Sequence, residues 1–474
     1  MSLRTIFGLA AGLLATTSAF AQSITPDMLR GHIAVLASDA YEGREPGTAG
    51  GERAEAYVLE AFAAAGLKPG APDGRWRQEL VLTHVRSKSS AATIRRGAVA
   101  TPLAGVVATG AMPDMRVAGV AMTYAGTLDA ATLAAAPLRG RIVVLAMAPG
   151  RADRVSALAR AGAAGVVFIA PASLKDDQLP EIFGSTVAPG DVAQPPLVAF
   201  VPQSQAATLL GPQAATLTKA GAAKDFRPVA LDGTIDLSAT TERRRFTTAN
   251  IVGMIPGTQR PNEAVLLSAH WDHIGICRPE GTADRICNGA ADNASGTAIL
   301  IETARVLAKG PAPARSLYFV ATTAEEMGLL GSDAYAAAIA GTPLRVVANL
   351  NIDTTAITPA GLPVAMVGRG NHPAIDRLVD ETARSIGRKV DTDTEANIMV
   401  ERQDGWAFGK RGIPAVMATG SVSDMKQLFA YLDGPYHKPT DDLAHLELAG
   451  AAEDADLHVA LARTLADPAR YPAN

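Results

Sequence analysis

The sequence is poor in aromatic residues and cysteine, and it carries no strong charge of either sign. Aromatics make up 5% of its 474 residues, and 19% are charged against 48% hydrophobic. That balance excludes a disordered chain, which cannot bury enough apolar surface to fold. A formal net charge of −4 leaves no electrostatic footprint for nucleic acid or an anionic membrane. Past the N-terminus, no apolar run reaches the ~20 residues a spanning helix needs. No GxSxG elbow and no HExxH helix occurs, which removes the serine-hydrolase and thermolysin-type readings. The length is too great for one ordinary core and suits two domains.

What is present begins with a leader. Arg4 supplies a positive n-region, "IFGLAAGLLATTSAF" a short apolar run, and Ala19-Phe20-Ala21 the small residues that a signal peptidase reads. Residues 1–21 therefore read as a signal peptide cut before Gln22, with a periplasmic or secreted mature protein. The two cysteines, Cys277 and Cys287, fit no zinc-ribbon spacing and are expected to pair in an oxidising compartment. Closing so short a loop would contribute on the order of 2–3 kcal/mol through the denatured state.

Residues 22–90 read as the N-terminal part of a catalytic domain, with two helices around a Gly-rich turn. Thr25-Pro26-Asp27 is a helix start. Ala54, Tyr57, Val58, Ala61 and Phe62 recur at helical spacing up to Gly66. "WRQELVLTHV" alternates like a strand. Across 91–239 the texture changes to short β-like runs, Ala-rich helices and Gly/Pro turns. Gly140-Arg141-Ile142-Val143-Val144, "RVSALARAGAAGVVFIA" and "PPLVAFVPQSQAATLL" resemble a protease-associated domain inserted into the chain. Residues 240–474 alternate continuous apolar strands with amphipathic helices. This pattern predicts an α/β fold with a mainly parallel twisted sheet covered by helices on both faces.

In such sheets the ligand site lies at the carboxyl ends of the strands, so candidate ligands should follow apolar runs. "AVLLSA" is followed by His270-Trp271-Asp272-His273, "SLYFVATTA" by Glu325-Glu326, and "RVVANLNI" by Asp353. Asp292 sits in "NGAADNASGTA" and His437 in "DGPYHKPTDD". Two imidazoles and three carboxylates suit zinc, with cobalt or manganese as possible substitutes. Two divalent ions about 3.5–4 Å apart can clamp one hydroxide and polarise a scissile carbonyl. Asp292 is the candidate bridge, and Asp272 is placed to hold the second N–H of His270. Adjacent side chains diverge, so one of Glu325 and Glu326 should bind metal while the other serves as general base.

The fragments "SAHWDHIG", "NGAADNASGTA", "TTAEEMGLLGS", "NLNID" and "YHKPTDD", in this order, resemble the di-zinc peptidases of the aminopeptidase Y and bacterial leucyl aminopeptidase type (peptidase family M28, clan MH). The resemblance runs from Ile24 to the C-terminal helix. It implies a zinc-dependent aminopeptidase acting on peptides with a free N-terminus. By that similarity, His270, Asp292 and Asp353 bind one Zn2+ while Asp292, Glu326 and His437 bind the other. Glu325 is then the base, Asp272 an outer support and Tyr436 the oxyanion stabiliser. Gly405 follows Asp404 where many members carry His.

Other polar residues are read as structural. His32, His84, His372, His445 and His458 have no matching context, and His273 reads as packing beside the site, with metal or substrate binding as the alternative. Asp441 and Asp442 read as caps of the following helix. Trp271 and Trp406 could line the pocket or fill the core. Two competing functions share the fold: a single-zinc glutaminyl-peptide cyclotransferase and a non-catalytic binding protein. The complete set of ligands for two metals argues against both.

Overall fold

A computed structural model describes residues 23–190 and 195–473. The expected signal peptide, residues 1–21, lies outside the described residues. The two N-terminal helices form as their caps predict. In α1 (Pro26–Leu36) the Thr25 side chain accepts the Met28 N–H, and Leu29, Ile33 and Leu36 form the buried stripe. In α2 (Ala49–Ala64) Thr48 accepts the Gly51 N–H.

Two long strands follow. β1 (Arg77–Arg96) and β2 (Val229–Ile255) pair antiparallel from Arg77 opposite Ile251 to Arg95 opposite Thr234, with a register shift at Thr240/Thr241. Residues 91 and 239, where the sequence changes texture, lie inside these strands. Between them, Ile142–Ala146, Gly165–Ile169 and Leu197–Val201 pair in parallel, buried between two apolar clusters of their own.

Beyond β2 come β3 (Arg260–His270), α3 (Gly296–Ala308), β4 (Arg315–Thr322), β5 (Arg345–Asn351), β6 (Ala365–Val367), β7 (Ala415–Thr419) and α4 (Leu448–Ala466). The sheet runs β6-β7-β5-β3-β4-β2 and continues through β2 into the 91–239 module. β3 pairs in parallel with β4 and β5, and β5 with β7; β2 and β6 close this part antiparallel. One face carries α1, α3 and α4, with Leu29, Ile299 and Leu461 against Val265, Leu267 and Leu350. The opposite face carries Tyr335, Ala336 and Ile339 of the helix Leu330–Ala340 against Leu266 and Val320. Both faces being covered explains why β3 reads as an unbroken apolar run. Each fully buried Val or Leu there stabilises by roughly 1.5–3 kcal/mol. Among the described residues no helix is long and apolar enough to cross a membrane.

Candidate metal centre

The parallel strands deliver their carboxyl ends to one place. His270 is the last residue of β3, Glu325 and Glu326 lie just past β4, and Asp353 just past β5. Asp292 precedes α3 in a turn held from two sides. Asn293 Nδ2 donates to the Ile352 carbonyl and Asn293 Oδ1 accepts the Gly296 N–H, both at 2.9 Å. A Cβ on Gly296 would lie 2.4 Å from that same carbonyl, so only glycine allows this approach.

The five expected ligands converge. His270 Nε2 lies 3.2 Å from Asp292 Oδ1 and 3.4 Å from Asp353 Oδ1. His437 Nε2 lies 3.4 Å from Asp292 Oδ2 and 2.9 Å from Glu326 Oε2. Asp292 thus turns one oxygen to each imidazole, the position of a bridge. Candidate ligand atoms of His270, Asp292 and Asp353 lie within 4.8 Å of one another, as do those of His273, Asp292, Glu326 and His437. Nitrogen and oxygen donors at these separations fit zinc.

The electrostatics agree. Burial alone would push the Asp292 carboxyl up, but the imidazoles of His270 and His437 outweigh it and hold it well below the usual carboxylate range. Burial presses His437 down, yet Asp292 and Glu326 raise it to about 10. Burial drives Glu325 well above its ordinary value; His270 opposes this, while Glu326 and Asp353 add to it.

Two supporting residues differ from expectation. His270 Nδ1 meets the backbone carbonyl of Asp272 at 3.1 Å, while the Asp272 carboxylate stands 3.9 Å away and accepts the Glu325 N–H at 3.3 Å. Asp441 does not cap the following helix. Its two oxygens accept the N–H groups of Ala291 and Asp292 at 2.9 and 3.1 Å, and the Tyr431 hydroxyl at 3.0 Å; Asp442 alone caps, through Ala444. His273 packs beside the candidate ligands, with its Nδ1 2.6 Å from Glu326 Oε1. Its only sequence signal is a position three residues after His270.

Arg44, fully buried, spans the rear of the site. Its guanidinium donates to the carbonyls of Trp271, Leu36, Asn288 and Gly289 at 2.6–2.8 Å. Two loops that carry ligands are thereby tied to α1. The expected disulfide is present between Cys277 and Cys287, and Cys287 Sγ lies 3.3 Å from the His437 carbonyl. Trp271 belongs to the core, donating from Nε1 to the Ala249 carbonyl at 3.1 Å.

A cleft opens over His270, Asp292, Glu325 and Asp353, walled by Met399, Met417, Val422, Leu428 and Leu432, with Arg402, Gln403 and Tyr436 also lining it. The Tyr436 ring stacks on His437 with centroids 3.8 Å apart. At Gly405, a Cβ would come within 2.6 Å of Gln403 Oε1, which accepts the Gly405 N–H. Gln403 is thus placed against the cleft by its neighbour's lack of a side chain.

Residues 250–462 match the model of peptidase family M28. This part of the chain is a peptidase family M28 domain. The chain is similar to aminopeptidase YwaD of Bacillus subtilis (strain 168), 26% identical over 238 residues, covering 48% of this chain and 46% of that protein. It is also similar to leucine aminopeptidase 1 of Trichophyton equinum, 30% identical over 240 residues, covering 47% of this chain and 60% of that protein. It therefore spans about half, and at most three fifths, of the length of these curated relatives. Among solved structures, an aminopeptidase from Aneurinibacillus sp. strain AM-1 superposes with a TM-score of 0.58 at 19% identity, covering 94% of this chain and 95% of that one. That likeness shows a shared fold, a mixed sheet between helices.

Proposed function

We propose that the chain is a secreted or periplasmic co-catalytic di-zinc aminopeptidase that removes N-terminal residues from peptides. The observation that carries this reading is Asp292, with one carboxylate oxygen toward the His270–Asp353 group and the other toward the His437–Glu326 group. The names of the similar proteins, aminopeptidase and leucine aminopeptidase, support the same class. His270, Asp292 and Asp353 would hold one zinc, and Asp292, Glu326 and His437 the other. Bound there, zinc supplies Lewis acidity toward a carbonyl and makes water easier to deprotonate.

The chain's own groups do the rest. Glu325 faces the cleft beside His270 and Asp353, takes a proton from the attacking water and passes it to the leaving amine. Tyr436 presents its hydroxyl where charge develops on the carbonyl oxygen. The wall of Met399, Met417, Leu428 and Leu432 receives an apolar side chain and excludes water. The leader at residues 1–21 and the Cys277–Cys287 disulfide support an oxidising location outside the cytoplasm. The 91–239 module is proposed as a protease-associated domain.

Amide hydrolysis of free-amine peptides should be lost with a chelator and restored by Zn2+, and N-acetylated peptides should not be cut. Glu325→Gln should lower kcat by roughly 10²–10⁴-fold with two zinc ions still bound. Wild-type turnover in that variant would remove Glu325 from the role of base.

A further inference from the structure

His273 is buried completely, three residues beyond the last residue of β3, yet the ligand set above does not use it. Its Nδ1 lies 2.6 Å from Glu326 Oε1 and 3.8 Å from Asp292 Oδ2. Two atoms bound to one tetrahedral zinc at ~2.0–2.1 Å stand roughly 3.3–3.4 Å apart. The His437 contacts, 2.9 Å to Glu326 Oε2 and 3.4 Å to Asp292 Oδ2, bracket that separation. The His273 contacts straddle it more widely: 2.6 Å to Glu326 Oε1 is a short hydrogen-bond length, and 3.8 Å to Asp292 Oδ2 is longer than two ligands of one zinc stand apart.

The second ring nitrogen decides the tautomer. His273 Nε2 is buried without a partner, and an unpaired buried N–H is rarer in proteins than an unpaired acceptor. The proton therefore belongs on Nδ1, donated to Glu326 Oε1. The ring has no freedom to turn away. It meets the His437 ring edge-on at 5.4 Å, and a Cβ on Gly289 would come within 2.5 Å of it.

Resting on the metallopeptidase reading, we propose that His273 is a positioning residue for one of the two metal ions. By occupying Glu326 Oε1 it leaves Oε2, the oxygen nearest His437, as the atom that meets the metal. The two sites are then unequal: the one holding Glu326 and His437 has its carboxylate oriented by a buried imidazole. Loss of such an outer partner usually costs 10–100-fold in metal affinity.

The test uses the full chain, its His273→Ala and His273→Asn variants, and zinc competition against a chelating indicator, with Co2+ absorption as a second readout. In His273→Ala one of the two dissociation constants should weaken about 10–100-fold while the Co2+ band keeps its position and intensity. His273→Asn, whose amide N–H can take the place of Nδ1–H, should recover part of that loss, and it serves as the probe should His273→Ala fail to fold. Both constants unchanged in both variants would overturn the proposal and leave the metallopeptidase reading standing. So would a Co2+ band altered by loss of a nitrogen ligand, which marks the ring as a ligand itself. A wild-type chain that binds no Zn2+ overturns both.

Discussion

At the scale of single residues, Asp441 shows how an acid can serve a metal centre without touching it. Its carboxylate accepts the backbone N–H groups of Ala291 and Asp292, so the segment carrying Asp292, the proposed bridge, is clamped from behind. Asp441→Asn keeps the size but turns an N–H toward one of those donors, leaving a buried donor unpaired at about 1–3 kcal/mol. The expected result is a roughly 10–100-fold loss in zinc affinity, measured by competition titration, with kcat falling as zinc occupancy falls. Unchanged zinc affinity would reduce Asp441 to a loop cap. The convergence of the five candidate ligands was legible in the sequence because each stands at the end of an apolar run or in a Gly-rich turn, and a strand end advertises itself. Asp441 and Arg44 were not, since they act through backbone groups, and His273 was legible only as packing beside the site, since it acts through another side chain. Asp441 beside Asp442 looks like a plain cap signal, and nothing in "YEGRE" says that Arg44 will reach four carbonyls.

Among the elements, α4 carries a buried pair of titrating groups whose effects oppose each other. Burial lowers the His458 imidazole to about 4, and its Nδ1–H donates to the Asp454 carbonyl at 2.7 Å. Burial also raises the Asp454 carboxyl to about 6, against the pull of Arg388 and its hydrogen bonds with Thr419 and Gly420. A lowered histidine gives stability that is present above its unfolded value of ~6.5 and is lost as pH falls toward 4. A raised carboxyl does the reverse, giving stability below its unfolded value that is lost as pH rises through about 6. Over pH 4–6 the two slopes cancel in the native chain. His458→Asn keeps a donor near the Nδ1 position and removes only the titration. Its stability relative to wild type should therefore improve as pH drops from about 6.5 to 4, at up to ~1.4 kcal/mol per pH unit, read from urea unfolding at each pH. A difference that stays constant with pH would show that His458 does not titrate differently in the two states. The apolar strands were legible because both their faces are covered. The 20-residue β1 and 27-residue β2 were not, since their exposed stretches are rich in Ser, Thr and Arg and alternate only locally.

Over the whole molecule, those two strands set the coupling between the M28 domain and the 91–239 module. β2 pairs with β4 at one end, through Ile251 opposite Ala321, and with the Asp114–Tyr124 strand at the other, through Ser238 opposite Arg116. A single strand that donates hydrogen bonds to both parts cannot leave one sheet without fraying the other. The change of texture at 91 and 239 therefore marks a change of packing partners rather than a hinge. The three tryptophans, Trp76, Trp271 and Trp406, all lie outside the module, so their fluorescence reports the M28 side alone while far-UV circular dichroism reports the whole chain. The two melting curves should coincide. Stripping zinc should lower both together, because a ligand bound only to the folded state stabilises it by about 2.7 kcal/mol per site at a hundredfold excess over Kd. If the tryptophan curve moved with the chelator while a separate dichroism transition stayed in place, the strands would not transmit stability, and the module would be an independent folding unit.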